Sequence, residues 1–263
     1  MKNNYLLLVT NKTLIPKLSK ESNITFLFPV EEFTVGFPNT FKIEEIREPH
    51  AYLFVNRLLD NEGIESFKSL LKDLPSNIEG IVFDDIGILQ ILKENTTLKK
   101  ILFLNHFNCN YKSINTYLEY VDSVVVSTDI TDMEVSEILE HAIKPLVLYT
   151  FGHVSIMYSR RQLISNYNEH FKKNVESIST LTNDLGSHFK IVENKYGTVI
   201  YTDKPFNGLR YREKKNVWYH LINTLLLSDE EILEIIHKKD NLTEKYPYTY
   251  LSESETIVRI KER

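Results

Sequence analysis

The chain has 263 residues, 42% of them hydrophobic and 25% charged, with a formal net charge of −5. These proportions exclude a disordered chain, a collagen-like chain and a simple coiled coil, and the length supports a large core in one or two domains. The single cysteine, Cys109, excludes a disulfide framework, a CxxC redox pair and a cysteine-rich metal site within one chain, and it fits a reducing compartment.

Short apolar runs, most of them β-branched or aromatic, recur at Tyr5–Thr10, Ile24–Val30, Ala51–Val55, Gly80–Phe83, Lys100–Leu104, Ser123–Ser127 and Pro145–Phe151. Each has the length of a buried strand. The runs are continuous rather than alternating, which predicts parallel strands covered on both faces. Helical patterns lie between them at Ile64–Leu74, Ile86–Leu92, Tyr111–Leu118 and Met133–Ile143. In the first, Ile64, Phe67, Leu70, Leu71 and Leu74 share one face. Thr131 with Glu134, and Ser228 with Glu231 ahead of Asp229–His237, have the spacing of capping boxes.

Trp218–Leu227 supplies an eighth strand. Repeated βα units predict an α/β protein with a (β/α)8 barrel, complete or distorted; an open doubly wound sheet is the alternative. Phe33–Val35 with Phe41–Ile43 predicts a short β excursion. Residues 175–215 carry Gly186, Gly197, Pro205 and Gly208 and read as a late, irregular insert: a lid, a binding loop or a partner contact. Residues 1–263 are taken as one barrel domain and 240–263 as its tail. No run approaches the ~18 apolar residues of a membrane span. Tyr5–Val9 is shorter than the ~7–15-residue core of a secretory signal. A cytoplasmic protein without a membrane partner is expected.

In a parallel barrel, ligands bind where the strands point. The residues just after the strands form a polar ring: Thr10 and Asn11, Asn56 and Arg57, Asp84 and Asp85, Asn105 and His106, Thr128 and Asp129, Gly152 and His153. Of the Asp84–Asp85 pair, one carboxylate can point inward while the other caps the following helix. His106 is an acid–base candidate or a hydrogen-bonded structural residue. Cys109 opens a helix but has no basic partner in the sequence and reads as an inert thiol. No GxSxG, HExxH, Walker or GxGxxG motif is present, and no metal site is expected.

Arg160 and Arg161 follow Tyr158-Ser159 at a strand-to-helix turn. They form either a bidentate clamp for phosphate or carboxylate, with Ser159 capping the helix, or a solvated surface turn. From Arg160 to Lys215 there are 11 basic and 6 acidic residues, and Tyr158 and Tyr167 flank or fall within that stretch. Basic groups beside aromatics suit phosphate contact and base stacking; a solvated surface over core aromatics is the alternative.

The stretch Phe151–Tyr167 (FGHVSIMYSRRQLISNY) resembles the signature of the U32 peptidase, or collagenase-like, family. That signature is a strand ending in Gly, a Cys, and then Tyr-Ser-x-Arg-Cys-Leu-x-Ser. Gly152, Tyr158, Ser159, Arg161, Leu163 and Ser165 match it, while Ser155 and Gln162 stand where the cysteines belong. Glu79–Leu92, with Asp85, Gly87 and Leu89, resembles the family's D-x-G-x-L stretch, and Tyr246–Lys261 resembles the C-terminus of its short members.

The resemblance implies a (β/α)8 barrel. It also implies RNA hydroxylation, in which short members act with a larger relative to make 5-hydroxyuridine in tRNA, with prephenate. Other members take part in oxygen-independent ubiquinone hydroxylation. Many carry a four-cysteine iron–sulfur cluster, whose ligands are absent here, so no cofactor is expected in this chain. The expected role is a subunit or degenerate partner in tRNA uridine hydroxylation. Asn56, Tyr158, Arg160, Arg161 and Tyr167 would bind tRNA or a small carboxylate, and Asp84, Asp85, His106 and Ser159 are the catalytic candidates. A larger relative is the expected hetero-oligomeric partner. The alternatives are a peptidase, with Ser159 or Ser155 as nucleophile and His106 or His153 as base, and a non-catalytic scaffold for a paralogue.

Overall fold

A computed structural model describes residues 4–94, 97–237 and 240–252. The first seven barrel strands are β1 (Tyr5–Leu8), β2 (Ile24–Pro29), β3 (Ala51–Val55), β4 (Ile78–Phe83), β5 (Lys99–Leu102), β6 (Ser123–Val126) and β7 (Leu146–Gly152). Then come β8 (Ser155–Ser159), β9 (Ile178–Thr182), β10 (His188–Asn194), β11 (Gly197–Thr202) and β12 (Phe206–Asn207), and finally β13 (Val217–Asn223). Strands β1 to β7 pair in sequence order and in parallel, and β13 closes the ring between β7 and β1. Eight parallel strands therefore form a closed barrel. Strands β1, β3, β6 and β7 are buried at every residue, which is why their sequences run apolar without alternation.

The helices are α1 (Leu14–Leu18), α2 (Asn61–Lys72), α3 (Ile86–Leu92), α4 (Tyr111–Leu118), α5 (Asp132–His141), α6 (Leu163–Phe171) and α7 (Asp229–His237). Side chains at the strand-to-helix turns start several of them. Asp60 accepts from Gly63 N, Asp85 from Gly87 N and Asn110 from Ser113 N. Thr131 with Glu134 and Ser228 with Glu231 form the reciprocal bonds of capping boxes. The five-residue α1 is too short to leave a periodic signal. Among the described residues, no helix is long and apolar enough to cross a membrane.

Two segments differ from the sequence reading. The excursion expected at Phe33–Val35 and Phe41–Ile43 reduces to one bridge, Val30 to Phe41, and a single 3-10 turn at Ile43–Glu45. Its aromatics pack rather than pair: Phe33 lies edge-on to Phe67 at 5.4 Å and Phe37 to Phe54 at 5.7 Å. Residues 155–215 are more ordered than their composition indicates. Ser155–Ser159, to which the sequence pattern assigns no element, is strand β8, which joins an antiparallel sheet in the order β8-β11-β10-β9. Alternation sends Val192, Val199 and Tyr201 inward and turns Glu193 and Thr198 toward α6.

The chain leaves the barrel for this sheet at Gly152, with φ +124°. A Cβ there would lie 2.3 Å from the Asn223 carbonyl oxygen, so the crossing requires glycine. Strand β12 returns antiparallel to β7. The described part of the tail straps this corner, with Tyr246 against Phe151 at 4.8 Å and Tyr250 against Phe206 at 4.8 Å. The remainder of the Tyr246–Lys261 resemblance lies outside the described residues.

Candidate ligand pocket at the barrel mouth

The antiparallel sheet stands over the C-terminal ends of the barrel strands, and between the two lies a cavity of about 270 Å³. Its wall is a chain of aromatic rings: Phe37 to Phe54 at 5.7 Å, Phe54 to Phe103 at 6.2 Å and Phe103 to Tyr149 at 6.0 Å. Tyr201 descends from β11 and donates to Gly36 O at 2.9 Å, tying the cover to the barrel loop. A mostly apolar concavity with a few convergent polar groups is the usual form of a ligand site. No lysine or arginine lines it among the described residues.

The polar groups sit at strand ends. Asn105, just beyond β5, adopts φ +48°, a left-handed conformation that asparagine tolerates. Its amide donates to Ser155 O at 2.6 Å and to His106 Nε2 at 2.9 Å. His106 Nδ1 lies 3.0 Å from Asp129 Oδ2. The hydrogen bond to Asp129 raises the pKa of His106 above its ordinary value, against a smaller opposing effect of burial. His106 and Asp129 therefore form a charge-coupled dyad at the cavity rim, with both ring nitrogens of His106 engaged by protein groups. His153 is buried and donates from Nδ1 to Thr202 O at 2.8 Å; burial lowers its pKa and keeps the ring neutral.

Asp84 and Asp85 divide the two tasks that their position allows. Asp85 caps α3, accepting from Gly87 N at 2.7 Å. Asp84 lines the cavity, its Oδ1 sealed from solvent with no hydrogen-bond partner. Burial, with the Asp85 charge beside it, pushes the Asp84 carboxyl up to about 7. Tyr158, on β8, also lines the cavity; its hydroxyl is sealed from solvent with no side-chain partner, its oxygen facing the Leu58 backbone amide.

The other sequence candidates are placed differently. Asn56 lines the cavity, but its amide is engaged by the backbone of Val35, through Oδ1 at 2.9 Å and Nδ2 at 3.2 Å. Ser159, Arg160, Arg161 and Tyr167 do not line it. Arg160 pairs with Asp60 at 3.1 Å. Ser159 Oγ accepts from Arg161 N and caps no helix. The N-terminus of α6 is instead held by Glu193 of β10, which accepts from Ile164 N at 2.6 Å and Ser165 N at 3.0 Å. Tyr167 is exposed and lies 4.9 Å from Phe171 on α6.

Arg57 and Arg160 stand at the rim, close enough for their charges to reach the Tyr158 phenol. Arg57 stacks on Tyr196 at 4.2 Å. Cys109 donates to His106 O at 2.9 Å, and burial pushes its thiol up, so it supports the His106 loop rather than acting as a nucleophile. The sequence reading missed Phe37, Tyr149, Tyr201 and Asn223 as cavity residues. Tyr149 lies inside a strand, Tyr201 lies on β11 in the long excursion between β7 and β13, and Asn223 ends β13, four residues before the strand end expected at Leu227.

Comparison with known proteins adds the following. The profile of Peptidase family U32 matches residues 32–177. No curated protein matches. The solved structure of the U32 peptidase Mk0906 superposes with a TM-score of 0.50 at 15% identity, covering 85% of this chain and 92% of that one. The spore cortex-lytic enzyme SleL of Bacillus cereus gives a TM-score of 0.45 at 8% identity, covering 96% of this chain and 76% of that one.

Proposed function

The chain belongs to peptidase family U32, and on that premise we propose that it serves RNA modification in the cytosol. It holds a nucleobase of tRNA in the barrel mouth, as the partner of a larger relative that hydroxylates uridine. The observation that carries this reading is the cavity itself. It is walled by aromatic rings, lined by no lysine or arginine among the described residues, and flanked at its rim by Arg57 and Arg160. Unstacked bases are recognised by aromatic faces and by hydrogen bonds to their edges, while arginines outside the pocket meet the phosphates. Enzymes that act on a base draw it out of its stack into such a pocket.

The four-cysteine cluster that the resemblance implies does not fit this chain. One thiol cannot supply four ligands, and Cys109 is engaged with His106 O. The redox chemistry is therefore assigned to the larger partner, and this chain contributes binding and orientation. A carboxylate co-substrate finds no lysine or arginine lining this cavity, and His106 already faces Asp129, so it is also assigned to the partner. The peptidase alternative has little support: among the described residues no serine hydroxyl bonds to His106 or His153, and Ser159 lies outside the cavity.

Nucleoside mass spectrometry of total tRNA, with and without the gene, tests the proposal. Loss of a hydroxyuridine-type mark, restored by the wild-type gene, is expected. An unchanged nucleoside profile would refute it.

A further inference from the structure

Two buried polar groups in the cavity wall have hydrogen-bonding capacity to spare, and they come from opposite sides of it: Asp84 Oδ1 has no partner, and the Tyr158 hydroxyl, whose oxygen faces the Leu58 backbone amide, has its proton to give. Asp84 Oδ1 belongs to the barrel, just past β4; the Tyr158 hydroxyl belongs to the covering sheet. The Asp84 charge reaches the phenol, as do those of Arg160, which is itself paired with Asp60, and Arg57, so Asp84 and Tyr158 lie near each other. Buried polar groups are almost always paired, and an unpaired set facing a cavity marks where a ligand supplies the missing partners. Asp84 offers an acceptor and Tyr158 a donor. The rest of the wall is mostly aromatic and aliphatic; no lysine or arginine lines it, and the one histidine with a raised pKa, His106, already faces the Asp129 carboxylate.

We infer that Asp84 and Tyr158 together read the polar edge of an uncharged planar ring, one that presents an N–H donor beside a carbonyl acceptor. The pocket takes ring amides and imides and rejects carboxylates and phosphates of the same size. This rests on the barrel mouth being the ring site of the proposed function, but not on the ring being part of an RNA. Tyr158 donates to the ligand carbonyl and Asp84 accepts the ligand N–H. A carboxylate placed there would set two negative oxygens against a buried acidic side chain. Like charges brought together in a poorly solvated site strongly disfavour binding. Asp84 is thus the specificity-determining residue, and Tyr158 fixes the orientation of the ring.

The test is calorimetric titration of the full chain at pH 8 with benzamide and benzoate, which share shape and differ in charge, and with uracil. Benzamide and uracil are expected to bind, and benzoate to bind at least about tenfold more weakly. Asp84→Asn is expected to shrink that gap to below about threefold while retaining the wild-type circular dichroism spectrum. Tyr158→Phe is expected to weaken benzamide and keep benzoate excluded. Equal binding of benzoate and benzamide by the wild-type protein would overturn the inference, and that comparison needs no variant. A full gap surviving in Asp84→Asn would also overturn it. So would failure of both amides to bind, even if deleting the gene still removes the tRNA mark.

Discussion

The barrel and the sheet that covers it are held together by different forces. The barrel strands bury apolar side chains on both faces, and their stability is spread over many interchangeable contacts. The cover buries fewer apolar side chains, among them Val192, Val199 and Tyr201, and adds to them a few buried polar contacts. Glu193 gathers the N-terminus of α6 and the Thr198 hydroxyl; Tyr201 reaches Gly36 O, and Asn194 reaches Thr34 O at 3.1 Å. A core built by area tolerates substitution of shape for shape, whereas a buried polar node fails when one member is removed. The ligand pocket lies between the two regions, so the less forgiving one forms its roof.

The largest effect expected from this contrast is at Glu193. Replacing it with Ala leaves two helix amides and the Ser165 hydroxyl unpaired, while the Thr198 hydroxyl keeps Arg161 O and Leu163 N, and should destabilise the cover by about 3 kcal/mol. Hydrogen exchange should show β10, β11 and α6 opening while the amides of β1 to β6 keep their protection. Uniform loss of protection in both regions would remove the distinction.

A smaller effect, of opposite sign, is expected at Asp84. Its carboxyl sits at about 7 in the fold, against roughly 3.9 in an unfolded chain. A raised carboxyl favours the protonated fold, so its contribution is complete below the unfolded value and is lost as pH rises through 7. The wild-type protein should therefore lose stability between about pH 4 and pH 8 at this site. Three units correspond to roughly 4 kcal/mol, reduced to about 2 because the fold relaxes around a charge formed inside it. Asp84→Asn should be more stable than wild type by that amount at pH 8 in urea titrations, with the gap closing toward pH 4. A gap independent of pH would show that Asp84 does not carry the charge change.

The smallest effect is at Tyr201. Removing its hydroxyl in Tyr201→Phe frees Gly36 O and should cost about 1 kcal/mol. The loss should appear in the exchange of β11 rather than in the barrel. A larger, global loss would mean that the cover and the barrel unfold as one unit.

Legibility followed the same division. Runs such as YLLL in β1 and SVVV in β6 announce themselves because burial on both faces demands apolar residues at every position. Strands β8 and β9, SIMYS and ISTLT, have exposed or half-buried positions throughout and so leave only a weak pattern. The strand-end rule pointed to Asp84 and His106, because position along a barrel strand is local information. It could not find Tyr149, inside β7, and it passed over Asn223, because the sequence pattern places the eighth strand at Trp218–Leu227 whereas β13 ends at Asn223. The helix cap assigned to Ser159 follows from local spacing. The group that holds α6 is Glu193, 29 residues beyond Ile164, and pairing at that range is set by sheet register rather than by local sequence.

The central claim is that the barrel mouth holds a tRNA base. Ultraviolet cross-linking of the purified chain to host tRNA, followed by mass spectrometry of the cross-linked peptides, tests it most directly. The account predicts uridine joined to peptides carrying Phe103, Tyr149 or Tyr158, and loss of those products when free uracil competes. Cross-links confined to peptides outside the cavity, or none at all, would contradict it.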